Sequence, residues 1–463
     1  MDENERQSTR KLILPVTTIL FGSFGYGWNV GVMNNAKVAI QNCPEEPHHL
    51  ETTTGLKSCV AMSDVMWGVV VSAFCVGGLA GGIIGAQMAD RYGRRGTSKI
   101  VACIFIIAGC VLMISNNVAF LVIGRLIVGF ACGASTAVVP LYLGEIAPPS
   151  RRGGIGTLNQ MVINVGILAS QLAGIALAKT FVWRLLLFIT AAVSIFQLVL
   201  LYLIPESPRY LVMKGNENQA RSSLQQLRDF SAAEIELDEL VEGVSETSKG
   251  TQYSMSSLLF NAPYGLKVLV LIACVLHISQ QFSGINVVFY YSTPIFIKVF
   301  NSQSVAQLLS LTLSGINIVA VMVATYLIDR LGRKPLLLWS SSCMTLSSVL
   351  IVIAFCTHAD KFSALFLVFF VVSFAIGLGP IPWLLLAELF PTNAVASAAS
   401  IACASNWGSN FIIGLIYLPL AELLGNFSFL PFAIFLGFFT LFTVKFFPET
   451  KGKSSDLIMA EFT

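Results

Sequence analysis

The chain has 463 residues, of which 55% are hydrophobic and only 11% charged, with a formal net charge of +3. Soluble domains carry roughly 25% charged residues, so composition excludes an ordinary soluble enzyme or a nucleic-acid binder and leaves a membrane protein. In such a chain the distribution of charge says more than its sum.

Twelve stretches of 18 or more residues lack any acidic or basic side chain. About 20 apolar residues cross a bilayer as a helix, because no water is present there to satisfy exposed backbone. The first stretch, 12–33, is too long for the apolar part of a secretion signal and lacks an Ala-x-Ala cleavage site, so it is expected to be a retained helix. It carries Gly27-Trp28-Asn29-Val30. The loop 35–64 that follows holds His48 and His49, and also Cys43 and Cys59, which can pair or stay free. Runs two to four lie near 65–89, 100–123 and 126–144. Asp90-Arg91-Tyr92-Gly93-Arg94-Arg95 follows the second, Gly124-Arg125 separates the third from the fourth, and Glu145 closes the fourth, ahead of Arg151 and Arg152. The fifth and sixth, 153–178 and 185–204, lead to Pro205-Glu206-Ser207. Residues 206–263 then hold 14 of the 53 charged side chains, too polar to enter the bilayer and too short for a catalytic domain. Apolar stripes there (Ala220, Leu224 and Leu227; Ile235, Leu237, Leu240, Val241 and Val244) predict short amphipathic helices. Six more runs follow near 268–297, 299–328, 335–359, 362–387, 389–421 and 423–444.

Four features of the first half return in order in the second. Gly27-Trp28-Asn29-Val30 answers Gly284-Ile285-Asn286-Val287, and Asp90–Arg95 answers Asp329-Arg330-Leu331-Gly332-Arg333-Lys334. Glu145 answers Glu388, and Pro205-Glu206-Ser207 answers Pro448-Glu449-Thr450. A duplicated set of six membrane helices is how many secondary transporters are built, with substrate bound between the halves near mid-bilayer. Basic residues cluster after runs two, four, eight and twelve, which places both termini in the cytoplasm by the positive-inside rule.

Polar side chains inside the runs are the candidate site. At 100° per residue Gln160, Asn164 and Gln171 of run five fall within about 40° of one another. Amides in a membrane helix are costly unless they meet partners or water, and a carboxamide both donates and accepts, as sugar hydroxyls require. Run seven adds Gln280, Gln281 and Asn286. On a straight helix Asn286 would point about 140° away from Gln281, so a shared site needs a break after Gly284, which Pro294 also favours. That break, with Tyr290 and Tyr291 beyond it, suits a discontinuous gating helix. Asn317, Asn406 and Asn410 complete the amides. Gly377-Leu378-Gly379-Pro380-Ile381-Pro382-Trp383 loosens run ten at Pro380 and Pro382, and Trp383 offers a flat apolar face to sugar C–H groups. At the cytosolic ends, Glu145 with Arg151 and Arg152, Asp90 with Arg94, Glu206 with Arg209, Asp329 with Arg333, and Glu388 are expected to pair into a latch that releases as the halves rock. No acid/base pair, nucleophile, cofactor motif or metal-ligand spacing occurs in the runs, so no cofactor is expected.

These motifs together resemble the sugar porters of the major facilitator superfamily, and most of all the facilitative glucose transporters of animals. The similarity runs from Gly22 to Gly452 and rests on Asp90–Arg95, Gly124-Arg125, Pro140–Arg152, Gly156-Thr157-Leu158-Asn159-Gln160, Pro205–Arg209, Gln280–Asn286, Gly379–Trp383 and Pro448–Gly452. The resemblance implies that Gln160, Gln280, Gln281, Asn286, Asn317, Trp383 and Asn410 contact a sugar, and that runs seven and ten close over it from outside. Three departures stand out. Selective glucose carriers of the family have Gln-Leu-Ser where this chain has His277-Ile278-Ser279, many have a Glu at Ala375, and they have an Arg at Val395.

The expected fold is an all-α membrane protein of twelve transmembrane helices in two pseudosymmetric six-helix bundles. Residues 1–205 form the first bundle, 206–263 a cytosolic helical linker, 264–447 the second bundle and 448–463 a cytosolic tail. The expected function is facilitative uniport of a hexose, glucose first, across the plasma membrane by alternating access, with the hexose and the lipid bilayer as partners. Rivals are a proton–sugar symporter and a non-transporting sugar sensor. Similar symporters place a titratable Asp where this chain has Asn29, and His277 is the only ionisable side chain near the proposed site. Asn426-Phe427-Ser428 is a sequon close to the membrane.

Overall fold

The computed structural model describes residues 3–41, 43, 55–148, 152–179, 182–249, 253–359, 361–391, 393–451, 453 and 455–462. Within its helices the side chains of 3–9, 152, 153, 244–249, 329, 387, 455 and 456 lie outside that description, as do Arg151, His48 and His49 altogether. Six long helices open the chain: α1 (Glu3–Gln41), α2 (Asp64–Tyr92), α3 (Arg94–Met113), α4 (Val118–Ile146), α5 (Arg152–Leu177) and α6 (Trp183–Leu200). Four shorter ones follow: α7 (Pro208–Met213), α8 (Glu217–Leu227), α9 (Phe230–Lys249) and α10 (Met255–Phe260). The second set comprises α11 (Tyr264–Phe282) and α12 (Ile285–Phe300), α13 (Gln303–Leu331), α14 (Arg333–Cys356), α15 (Lys361–Ile376) and α16 (Ile381–Leu389), α17 (Val395–Leu424) and α18 (Leu430–Phe446), with α19 (Ser455–Ala460) at the end.

Ten stretches are long and apolar enough to cross a membrane, two of them, Tyr264–Phe300 and Lys361–Leu386, as broken pairs. α1 and the 17-residue α18 supply the other two. In the first half α2 packs on α4, α1 on α5 and α3 on α6. The second half pairs α14 with α15 and α18, α11 with α17, and α12 with α13. The halves meet along a seam where α2 lies against α17, and α5 against α13. Small residues permit the close approaches that hold membrane helices together. A Cβ at Gly27 would strike the Ile163 carbonyl, one at Gly77 the Leu126 carbonyl, and one at Gly78 the Trp407 ring across the seam.

The repeated Asp-Arg motif has a local cause. Gly93 (φ 83°) and Gly332 (φ 91°) turn the chain sharply between α2 and α3, and between α13 and α14. Each turn leaves the next helix's first N–H groups without intrahelical partners. Glu206 accepts from the amides of Arg94 (2.9 Å), Arg95 (2.9 Å) and Gly96 (3.2 Å), and Glu449 from those of Arg333 (3.0 Å) and Lys334 (3.1 Å). Turn and capping carboxylate are therefore duplicated together.

The linker helices form a small core of Leu211, Val212, Ala220, Leu224, Ala233 and Leu237. Ile235 departs from its expected stripe and is 63% exposed. At one end of the molecule Cys43 and Cys59 form a disulfide. The linker and both termini lie at the other.

Candidate functional site

The break expected in run seven is present. Gly284 adopts φ 89°, a left-handed conformation that ends α11 and restarts the chain as α12, with the Phe432 ring against its Cα. Asn286 is thereby turned back so that its Nδ2 donates to Gln281 Oε1. Gln281 Nε2 donates to Asn406 Oδ1 at 2.9 Å, and Asn406 Nδ2 to Gln280 Oε1 at 2.7 Å. Gln280 Nε2 in turn reaches the carbonyls of Leu378 (3.1 Å) and Gly379 (2.7 Å), which the α15–α16 break frees from helical pairing. Four carboxamides from α11, α12 and α17 thus form one chain ending on the broken stretch of run ten. His277 stands behind it, Nδ1 3.3 Å from Asn406 Nδ2, its ring edge-on to Trp383 at 4.7 Å between centroids.

Asn406 is the member that spacing alone did not single out from its neighbour Asn410. Asn410 faces further toward the disulfide end, where it accepts from the Tyr290 hydroxyl at 3.3 Å, while Tyr291 donates to the Gly414 carbonyl at 3.2 Å. On the opposite wall Gln160 Nε2 donates to Asn164 Oδ1 at 3.4 Å. The carboxamide of Asn317, buried in α13, has no hydrogen bond among the described residues. Among the described residues no hydrogen bond joins Gln160, or Asn317 of the same bundle, to the α11–α17 amides. Pro380 caps α16 at the run-ten break and Pro382 lies in its first turn. An apolar concavity of about 400 Å³ lined by Val76, Gly77, Ala80, Ile104, Leu126, Ile127 and Phe130 faces away from this seam and holds none of these amides.

Asn29 does not lie at the seam. Its Nδ2 donates to the Gly25 carbonyl (2.8 Å) and to Thr190 Oγ1 (3.2 Å), inside the first bundle. The contacts that close the seam belong to the next turn and a half of α1. Asn34 Nδ2 donates to Ser292 Oγ at 2.7 Å, and Asn34 Oδ1 accepts from the Thr293 amide at 3.0 Å. Thr293 Oγ1 donates to Asn35 Oδ1 at 2.8 Å, Asn35 Nδ2 reaches the Gln171 carbonyl at 2.9 Å, and Ser314 Oγ donates to Gln171 Oε1 at 3.0 Å. The sequence puts Asn35 at the start of a loop. The helix instead runs on to Gln41, because Lys37 is neutralised by Asp64 at 3.0 Å and Gln41 Nε2 donates to Asp64 at 2.8 Å.

Arg125 also escaped the sequence reading, which set it between two runs. It lies seven residues inside α4, fully buried, with its guanidinium 4.5 Å over the Phe74 ring and Nη1 donating to the Asn29 carbonyl at 3.1 Å. Its Nε and Nη2 have no hydrogen-bond partner among the described residues.

The described charged clusters form within each bundle. Glu145 pairs with Arg94: Arg94 Nη2 donates to Glu145 Oε1 at 2.8 Å, and Ser207 Oγ donates to Oε2; its expected partner Arg151 lies outside the described residues. The second bundle repeats this, Arg333 Nη2 donating to Glu388 Oε1 at 2.6 Å and Thr450 Oγ1 to Oε2 at 2.7 Å. Asp90 keeps a longer contact with Arg94, 3.6 Å. Glu206 does not pair with Arg209, because its oxygens already serve backbone N–H groups, and Arg209 is exposed. The side chains of Arg152 and Asp329 lie outside the described residues. Glu449 is opposed by partial burial but held below the usual carboxylate range by the backbone N–H groups of Lys451, Arg333, Lys334 and Thr450. Among the described residues these clusters join nothing across the seam. Among the described residues the seam's hydrogen bonds lie in the half nearer the disulfide, and at the other end Gly154 and Gly156 of α5 stand exposed.

A family model described as "Sugar (and other) transporter" matches residues 16–462. The chain is 34% identical to the facilitated glucose transporter protein 1 of Caenorhabditis elegans over 98% of its own length and 91% of that protein's. It is 36% identical to the solute carrier family 2 facilitated glucose transporter member 3 of Rattus norvegicus, covering 98% and 93%. Among solved structures, the proton:xylose symporter XylE bound to 6-bromo-6-deoxy-D-glucose superposes with a TM-score of 0.80 at 26% identity, covering 98% of this chain and all of that one. The inward open conformation of the xylose transporter XylE from E. coli gives 0.79 at 25% identity, covering 97% and 99%.

Proposed function

The chain belongs to the sugar transporter family of the major facilitator superfamily, a membrane carrier and not an enzyme, and from that premise we propose that it is a facilitative hexose uniporter. The observation that carries this reading is the carboxamide chain Asn286–Gln281–Asn406–Gln280 of the second bundle, with Gln160 on the first. Such groups donate and accept without charge, which matches a neutral polyhydroxylated solute. The bound sugar meets Gln160, Gln280, Gln281, Asn286, Asn317 and Trp383, with Asn410, Tyr290 and Tyr291 closing above it. Gly284, Pro380 and Pro382 let runs seven and ten bend over the site.

The termini are cytoplasmic and the disulfide faces outside the plasma membrane, so the described state is closed outward and open inward. Exchange with an outward-open state moves sugar in either direction.

One observation favours the rival symport reading. Arg125 is a buried cation beside Asn29, so a carboxylate at Asn29 would have a partner able to tune its proton affinity. In this chain Asn29 does not titrate, and uncoupled transport follows. Reconstituted protein should equilibrate labelled glucose without concentrating it, and fructose and galactose serve as selectivity probes. An imposed pH gradient should leave the end level unchanged. Accumulation above the external concentration that a protonophore abolishes would establish symport instead.

A further inference from the structure

Asn164 carries the least satisfied amide on the α5 wall. Asn164 is 3% exposed, and among the described residues its Oδ1 accepts only the long 3.4 Å bond from Gln160 and its buried Nδ2 has no hydrogen-bond partner. A buried donor without an acceptor is costly, more so in a membrane helix where water cannot reach it. Its direction is set by its neighbours on the helix. At 100° per residue it lies about 40° from Gln160 and about 20° from Gln171. Gln171 reaches across the seam to Ser314 of α13, so this stripe of α5 faces the second bundle. The face that packs on α1 is a different one, centred on Ile163, Gly166, Ser170 and Gly174.

Depth along the seam follows from the same bond. α5 and α13 run antiparallel, and with Gln171 and Ser314 level, Asn164 lies about 10 Å and Asn317 about 4.5 Å toward the termini end. The two amides therefore lie on facing helices about 6 Å apart in depth, with Gln160 one turn below Asn164. A hydroxyl entering between Gln160 and α13 meets Nδ2 as a free donor while Gln160 keeps hold of Oδ1.

We propose that Asn164 is a specificity-determining residue of the sugar site, donating through Nδ2 to one hydroxyl oxygen that Gln160 does not serve. This rests on the hexose reading above, so the test carries Gln281→Ala as a separate arm for the site itself. In proteoliposomes of the full chain, inhibition of labelled D-glucose uptake is measured with a series of monodeoxyglucoses. Wild type should bind one analogue roughly tenfold more weakly than glucose, the loss expected for one buried hydrogen bond. Asn164→Val should bind glucose roughly tenfold more weakly and bind that same analogue no worse than glucose, while still discriminating among the others. Folding is followed by the melting temperature without sugar. It should equal or exceed the wild-type value, because an unpaired buried donor has gone, and the glucose-induced rise should shrink.

Unchanged glucose affinity and analogue ranking in Asn164→Val, with affinity lost in Gln281→Ala, would overturn the proposal and leave the site standing. A fall of several degrees in the sugar-free melting temperature of Asn164→Val would overturn it too, by showing that the amide has a structural partner. If neither variant changes glucose affinity, the site reading fails and the proposal falls with it.

Discussion

The two ends of the seam solve opposite problems with different chemistry. At the disulfide end the bundles are joined to each other by neutral groups: Asn34 to Ser292 and Thr293, Asn35 to Thr293, and Gln171 to Ser314. At the termini end the strong charges are spent inside each bundle, Arg94 on Glu145 and Arg333 on Glu388, with Glu206 and Glu449 capping helices. Neutral hydrogen bonds have a small net worth, since water replaces them when a surface opens. A buried ion pair is expensive to break, because each ion is left desolvated. A carrier that must open one side and then the other can cross its moving seam with the first kind. The second kind suits the bodies that move as units.

The hardest test of that contrast is the buried pair. The side chains of Arg94 and Glu145 are 4% and 6% exposed, against 12% and 23% for Arg333 and Glu388. Arg94→Ala strands Glu145 in a dry environment and should cost about 3–5 kcal/mol, seen as a large drop in melting temperature or a failure to accumulate. Arg333→Ala should cost less, because water can reach Glu388. An Arg94→Ala protein of normal stability whose sidedness of labelling has changed would mean that these charges act across the seam, and the comparison would collapse.

Next in size is the middle of the seam. Gln281 holds both Asn286 and Asn406, and Gln281→Ala should weaken hexose binding by about 1–3 kcal/mol, or roughly ten- to a hundredfold, with near-normal delivery to the membrane. Wild-type affinity would reduce the amide chain to packing. At the disulfide end Asn34→Ala removes two seam bonds that water can replace on opening, so about 1 kcal/mol is expected. Labelling of a cysteine placed at that end of the seam should rise several-fold, and labelling from the termini end should fall. No change in either would show that the closed end is held by something other than these amides.

Much of this was legible in the residues, and the gaps share a cause. The twelve runs and the duplication follow from charge-free length and repeated motifs. The bend at Gly284 follows from the angle between Gln281 and Asn286, since both amides cannot face one site on a straight helix. What stayed hidden was partnership between distant segments. Lys37 looks like the end of a membrane run until Asp64 is seen to neutralise it, and so Asn35 was lost to a loop and Asn34 to its edge. Arg125 looks like a boundary until the Phe74 face and the Asn29 carbonyl are seen to hold it. Arg94 is 51 residues from Glu145 in sequence, yet the turn at Gly93 carries it beneath the end of α4 and onto that carboxylate.

The smallest effect probes the same contrast through pH. Glu449 is held below the usual carboxylate range in the folded protein by backbone N–H groups, against some burial. A depressed folded value means its contribution is complete above the unfolded value of about 4.3 and disappears as the pH falls through the lower folded one. The group is largely solvated, so the effect is modest. Glu449→Gln should lower the melting temperature slightly at neutral pH, and the gap to wild type should close below about pH 4. Because Glu449 binds only within the second bundle, reaching the start of α14 and the tail, the variant should leave the labelling of both sides of the seam unchanged. A change in sidedness without a change in melting would place this carboxylate in the moving interface, and would put the charges and the amides on the same footing.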